Sequence, residues 1–165
     1  MQKYNDYIIT TRHWLRHYNR FKASIDCMNG DLRILEASAK EEEAAPIAHY
    51  GDTPAGGQSE LNSIEKAVDR KIKQQRMITQ IKADIAELQR MISKIDRAME
   101  TLDDDSRGII QECYIDGYSW LQVGLQHHLS ESGARKKGNR ALEDIALVIF
   151  GIKAKPQQLS FVFFN

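Results

Sequence analysis

The sequence predicts an all-α protein, with a long helical, coiled-coil part over residues 1–102, a smaller helical domain over residues 103–151 and an apolar tail over residues 152–165. Three observations carry this. Apolar residues recur in steps of three and four over long stretches, which is the period of a helix buried on one side. Only three prolines, Pro46, Pro54 and Pro156, interrupt the 165 residues. Charged residues make up 28% and hydrophobic residues 42%, a balance common in helix-rich chains. A chain of this length suffices for one ordinary domain, or for a small domain carried on an extended helical element.

From Tyr4 to about Glu43 the residues Tyr7, Ile8, Trp14, Leu15, Tyr18, Phe21, Ile25, Met28, Leu32 and Leu35 keep helical spacing. They predict one helix or two, with a candidate break at Asn29-Gly30. Residues 44–58 hold Pro46, Gly51, Pro54, Gly56 and Gly57, too many breakers for helix or strand, and read as a loop. Ser59 suits the N-cap of the next helix, because its hydroxyl can accept an amide hydrogen left unpaired there. In that helix Ile78, Ile81, Ile85, Leu88, Ile92, Ile95, Met99 and Leu102 alternate steps of three and four, as the seam of a coiled coil does. Upstream, Leu61, Ile64, Val68 and Ile72 run in a shifted register, so the seam drifts near Lys71 to Gln75. Unbroken from Leu61 to Leu102, the helix would be about 60 Å long. So long a rod does not bury its stripe alone, and it needs the N-terminal helices, a second copy, or both. A homodimer or higher homo-oligomer is therefore expected.

Asp103-Asp104-Asp105-Ser106 breaks the seam and places carboxylates where a helix start favours negative charge. Three helices are predicted beyond it, Asp104 to Ile115, Ser119 to His127 and Glu131 to Phe150. Gly117 suits the positive φ of a helix C-cap. Ser119 and Gln122 match a capping box. Gly124 falls where two helices approach closely, and Ser130 caps the last helix. Together these read as a helix-turn-helix. On its last helix Ala134, Gly138, Leu142 and Ile145 form a small inner face. The outer side carries Arg135, Lys136, Lys137 and Arg140 against Glu131, a local basic patch in a chain whose 23 Lys and Arg balance 23 Asp and Glu. Ser132, Arg135, Lys136 and Asn139 are the candidates to face a DNA groove. Arg140 is assigned to a phosphate or an internal acid, and Lys137 at most to a phosphate.

Other classes receive little support. Cys27 and Cys113 have no metal or redox spacing and suit a reducing cytoplasm. The chain begins without a leader-like apolar run and holds no stretch long enough for a membrane span, so a cytoplasmic protein is expected. Neither a nucleophile with a base, nor a Gly-rich phosphate loop, nor a carboxylate pair appears, so no enzyme is predicted. His13 and His17 have metal-compatible spacing but no completing ligand, and His127-His128 lacks one too, so no metal or cofactor is predicted. Arg12, Arg16 and Arg20 recur every four residues, a stripe that suits a phosphate backbone or an acidic partner. A plain solvated face opposite Trp14, Tyr18 and Phe21 is the simpler reading.

The run through Leu102, Arg107, Ile109-Ile110, Tyr114, Asp116-Gly117, Trp120, Val123-Gly124, Leu129-Ser130 and Arg140-Ala141-Leu142 resembles region four of bacterial sigma factors. It departs at Ala134 and Gly138, where such helices carry larger aliphatic residues. The wider layout, with His49-Tyr50-Gly51-Asp52-Thr53-Pro54 ahead of the long helix and Phe150-Gly151 closing the module, resembles phage transcriptional regulators of the RinA and ArpU type. That resemblance implies a late-gene activator of a phage or prophage, which binds double-stranded DNA in the bacterial host cytoplasm and acts with host RNA polymerase. Two alternatives stand beside it. One is a phage small terminase subunit that recognises packaging-site DNA. The other is a module that grips RNA polymerase without touching DNA. In the tail, Leu159, Phe161, Val162, Phe163 and Phe164 are expected to dock on the protein's own helices or on a partner. Gln158-Leu159-Ser160-Phe161 also resembles short peptides that bind the bacterial sliding clamp.

Overall fold

The computed structural model describes the backbone of residues 6–44 and 57–154, and the side chains of residues 6–41 and 65–154. Every element among these residues is helical: α1 (Asp6–Ala44), α2 (Gly57–Glu100), α3 (Asp104–Ile110), α4 (Trp120–Gln126) and α5 (Glu131–Phe150). A π-helical turn, Gln111–Ile115, follows α3, and a 3-10 turn, Gly151–Ala154, follows α5. The all-α class expected from the sequence holds, and no helix is long and apolar enough to cross a membrane among the described residues.

The long helices resolve the alternative left open at Asn29-Gly30 and differ from expectation in two details. α1 runs through Asn29-Gly30 without a break. One helix-interior glycine costs only about 1 kcal/mol against Ala, and the flanking turns carry the helix across it. α2 begins at Gly57, so Ser59 lies inside its first turn and is not its N-cap. The predicted loop over 44–58 is correspondingly shorter, and residues 45–56 lie outside the described ones, as does the tail from residue 155.

The described residues fall into two compact units, one within residues 1–22 and 90–165 and the other within residues 23–89. The end of α2 lies in the same core as the short helices. In the second unit Ile25, Ile78 and Ile85 are buried. The Gln74 side chain donates to the Leu35 carbonyl at 3.1 Å, and Lys82 pairs with Glu36 at 2.8 Å, which sets α2 beside α1 there. The Lys82 ammonium holds the Glu36 carboxyl below its ordinary range. In the first unit Leu15 of α1, Ile95, Ala98, Met99 and Leu102 at the end of α2, Ile110, Tyr114, and Ala141, Leu142 and Ile145 of α5 form one core. Much of the seam expected to drive self-association is thus already buried within a single chain. Val68 (51%) and Ile72 (44%), on the drifting part of the seam, remain exposed.

Arg107 closes α2. Its guanidinium donates to the carbonyls of Met99 (3.0 Å), which also accepts the Leu102 amide at 3.2 Å, and of Leu102 (2.8 Å), at an end where helical carbonyls run short of partners. Asp103 then caps α3, accepting from the Ser106 amide at 2.9 Å. That hydrogen bond, more than the nearby Lys137 charge, keeps its carboxyl below the ordinary range.

A part-buried polar link lies at the edge of this core, where the Tyr18 hydroxyl donates to Asp96 at 2.7 Å. Burial, and then the hydrogen bond to Asp96, push the Tyr18 phenol up from 10.0 to about 12. The folded state therefore holds this proton where the unfolded chain has lost it. Its contribution to stability is complete below about pH 10 and is lost as pH rises towards 12. Urea midpoints of wild type and Tyr18→Phe should accordingly converge across that window. Curves that stay parallel would contradict the link.

Candidate nucleic-acid interface

The candidate residues sit on α5, and the local sequence explains how α5 is held. The stretch read as one helix from Asp104 to Ile115 changes winding at Gln111, so its last five residues form a wider π turn. The Asp116 amide reaches the Gln111 carbonyl and the Tyr118 amide the Glu112 carbonyl, both at 2.9 Å. Gly117, at φ 83°, takes the left-handed conformation the sequence assigned to it. The capping box is formed: the Gln122 amide donates to Ser119 Oγ at 3.3 Å, and Gln122 Oε1 accepts from the Ser119 amide at 2.9 Å.

The turn between α4 and α5 is tight. Leu129 donates its amide to the Gly124 carbonyl at 2.8 Å, and His128 takes φ 55° where glycine is usual. A Cβ on Gly124 would come 2.8 Å from the Leu129 carbonyl oxygen, so the small residue serves the turn itself and the start of α5. Ser130 then caps α5, accepting from the Gly133 amide at 3.1 Å.

The inner face of α5 is formed by Ala134, Gly138, Ala141, Leu142 and Ile145, all buried. Gly138 has a specific cause, since a Cβ there would lie 2.5 Å from Trp120 Cη2. The indole of α4 fills the place of the missing side chain, and its edge meets the Tyr114 ring at a centroid distance of 5.8 Å. Ile109, Val123 and Ala134 complete a small second core beneath it. On the other side of the module His127 lies between Glu112 (3.2 Å) and Asp105 (3.9 Å), its ring taking the space left by Gly108.

Ser132, Arg135, Lys136, Asn139 and Arg140 are all exposed. The first four line one shallow concavity of about 600 Å³ together with Ser130 and Glu131. Arg140 lies outside this lining, further round the helix. The basic patch is weaker than the bare count of side chains suggests. Arg135 pairs with Glu131 at 2.9 Å, and Lys137 reaches across to Asp105 at 2.9 Å. Lys137 thus ties α5 to the start of α3, while Lys136 and Arg140 are exposed cations for which no ion pair is formed among the described residues.

A family model described as a protein of unknown function, DUF722, matches residues 12–146. The chain belongs to that family. No curated protein and no solved structure matched it. The DUF722 match takes in the arginine stripe of α1, the whole of α2 to α4 and most of α5.

Sequence reasoning on this DUF722 chain named Arg16 within the α1 stripe but not the residues it joins. Arg16, from the α1 stripe, lines a cleft of about 540 Å³ with Cys113, Tyr114, Ser119, Trp120 and Arg135. Burial pushes the Cys113 thiol and the Tyr114 phenol up, and neighbouring arginines oppose it: Arg16 and Arg135 at Cys113, Arg12 and Arg16 at Tyr114. The signal available was the four-residue spacing of the arginines, which marks a face of α1 but not what that face meets. The rings of His13 and His17 stack with centroids 4.1 Å apart.

Proposed function

We propose that this chain is a sequence-specific binder of double-stranded DNA, a transcriptional regulator of phage or prophage type, in which α4 and α5 act as a helix-turn-helix. The observation that carries the reading is α5 itself. It is capped at Ser130 and anchored by a small-residue face, and it presents Ser132, Arg135, Lys136 and Asn139 together on an exposed face. A helix of this kind fits a major groove, where Arg and Lys donate to guanine N7 and O6 and Asn pairs with the adenine edge. Arg140 is assigned to phosphate. The resemblance to sigma region four and to RinA and ArpU regulators supports a role beside host RNA polymerase in the bacterial cytoplasm. The proposal requires no enzyme activity, metal or cofactor. A homodimer belongs to it, since two copies double the DNA contacts. The buried seam of α2 offers little for that contact, and exposed residues such as Val68 and Ile72 are its candidates.

Selection from a pool of random duplexes should enrich a short consensus with the wild type. Asn139→Ala should lose roughly 1–3 kcal/mol on that consensus and relax the preference at one position. Absence of enrichment at any salt concentration would refute sequence-specific binding. One observation favours a second reading, a module that grips RNA polymerase or another protein without DNA. Leu121 (57%) and Leu125 (71%) lie exposed on α4, an apolar edge that suits a protein partner. Under that reading, neutralising Arg135 and Lys136 leaves partner binding intact.

A further inference from the structure

We propose that the α1 arginines, Arg16 foremost, grip the sugar–phosphate backbone of the duplex read by α5. The inference rests on the proposed DNA-binding function and adds to it a contact from the opposite end of the sequence. Arg16 and Arg135 line one cleft, although they come from α1 and α5. Arg135 and Glu131 line both this cleft and the concavity on the exposed face of α5, so the two surfaces are continuous. A duplex seated on α5 therefore brings its backbone towards Arg16.

The chemistry of the cleft suits a phosphodiester. Two guanidiniums offer planar donor forks, which match phosphate oxygens better than ammonium groups do. The Arg16 guanidinium carbon lies 6.0 Å from the centre of the Tyr114 ring, which steadies an exposed arginine without neutralising it. One turn earlier, Arg12 adds positive charge at the same tyrosine, and its Nε is buried with no hydrogen-bond partner. Among the described residues Glu131 is the one acid that lines the cleft, and it holds Arg135 at 2.9 Å. A phosphate replaces that carboxylate as the partner of Arg135. The net charge of the cleft then favours an anion over a cation.

The test is a fluorescence-anisotropy titration of the full chain on its selected duplex and on a scrambled one, at several salt concentrations. Arg16→Ala, Arg16→Lys and, as a control on exposed α2, Arg76→Ala are compared with wild type after circular dichroism confirms their helicity. Arg16→Ala should weaken both duplexes alike, by about tenfold near 0.1 M salt, and reduce the slope of log affinity against log salt by about one. The ratio between the two duplexes should not change. Arg16→Lys should keep most of the slope, and Arg76→Ala all of it. If wild type binds with a salt slope and Arg16→Ala matches it in affinity and slope, the inference is overturned while the DNA reading stands. If wild type shows no salt-dependent binding to any duplex, both fall together.

Discussion

Replacing Leu142 with alanine should lower the unfolding free energy by about 2–5 kcal/mol, the cost of removing a large aliphatic side chain from a core that cannot collapse around the gap. Leu142 is 1% exposed and belongs to the core that joins Leu15 of α1, Ile95 and Met99 of α2, and Ile110 and Tyr114 beyond them. The cavity would therefore lie where three parts of the chain meet, and no single flexible segment is free to fill it. Arg140→Ala, two residues away on the exposed side, should change stability by less than about 0.5 kcal/mol. Urea denaturation followed by circular dichroism measures both. Equal, small losses would mean that α5 is not docked through this face, and its other side would then no longer be the face left for DNA.

The parts of this architecture that were legible in the sequence are those set by near neighbours. Ser119 and Gln122 form their capping box, Ser130 caps α5, and Gly117 takes its positive φ, because each feature is decided within about four residues. The inner face of α5 follows from periodicity alone. The reason for its smallness did not, since it depends on the Trp120 ring, 18 positions away, settling over Gly138. The π turn was also hidden. Ile109, Ile110, Cys113 and Tyr114 satisfy an α-helical period equally well, and nothing in composition marks one extra residue per turn. His128 in the left-handed region carries a much weaker sequence signal than glycine would.

The candidate site divides along the same line. Ser132, Arg135, Lys136 and Asn139 share a face because helix geometry requires it. The partner of Lys137 is Asp105, 32 residues away, so its ion pair could not be read from the local charge pattern. Arg16 and Arg135 are separated by most of the chain, and only the packing of α1 in this unit brings both to one cleft.

The double substitution Arg135→Ala/Lys136→Ala should have the largest functional effect. Lys136 forms no ion pair among the described residues, and Arg135 must exchange Glu131 for a DNA acceptor, so its gain is smaller than that of a free arginine. Together they should contribute roughly 2–4 kcal/mol on the preferred duplex, allowing for base contacts of 1–3 kcal/mol and the release of one or two counterions. The fold should be unaffected, because both side chains are exposed and only the surface pair with Glu131 is lost. The measurement is an anisotropy titration of wild type and double variant on selected and scrambled duplexes at two salt concentrations. The variant should retain wild-type helicity, bind the selected duplex at least thirtyfold more weakly by this roughly 2 kcal/mol lower bound, and lose most of its preference for it. Wild-type affinity and preference in a fully folded double variant would contradict the assignment of α5 as the recognition helix.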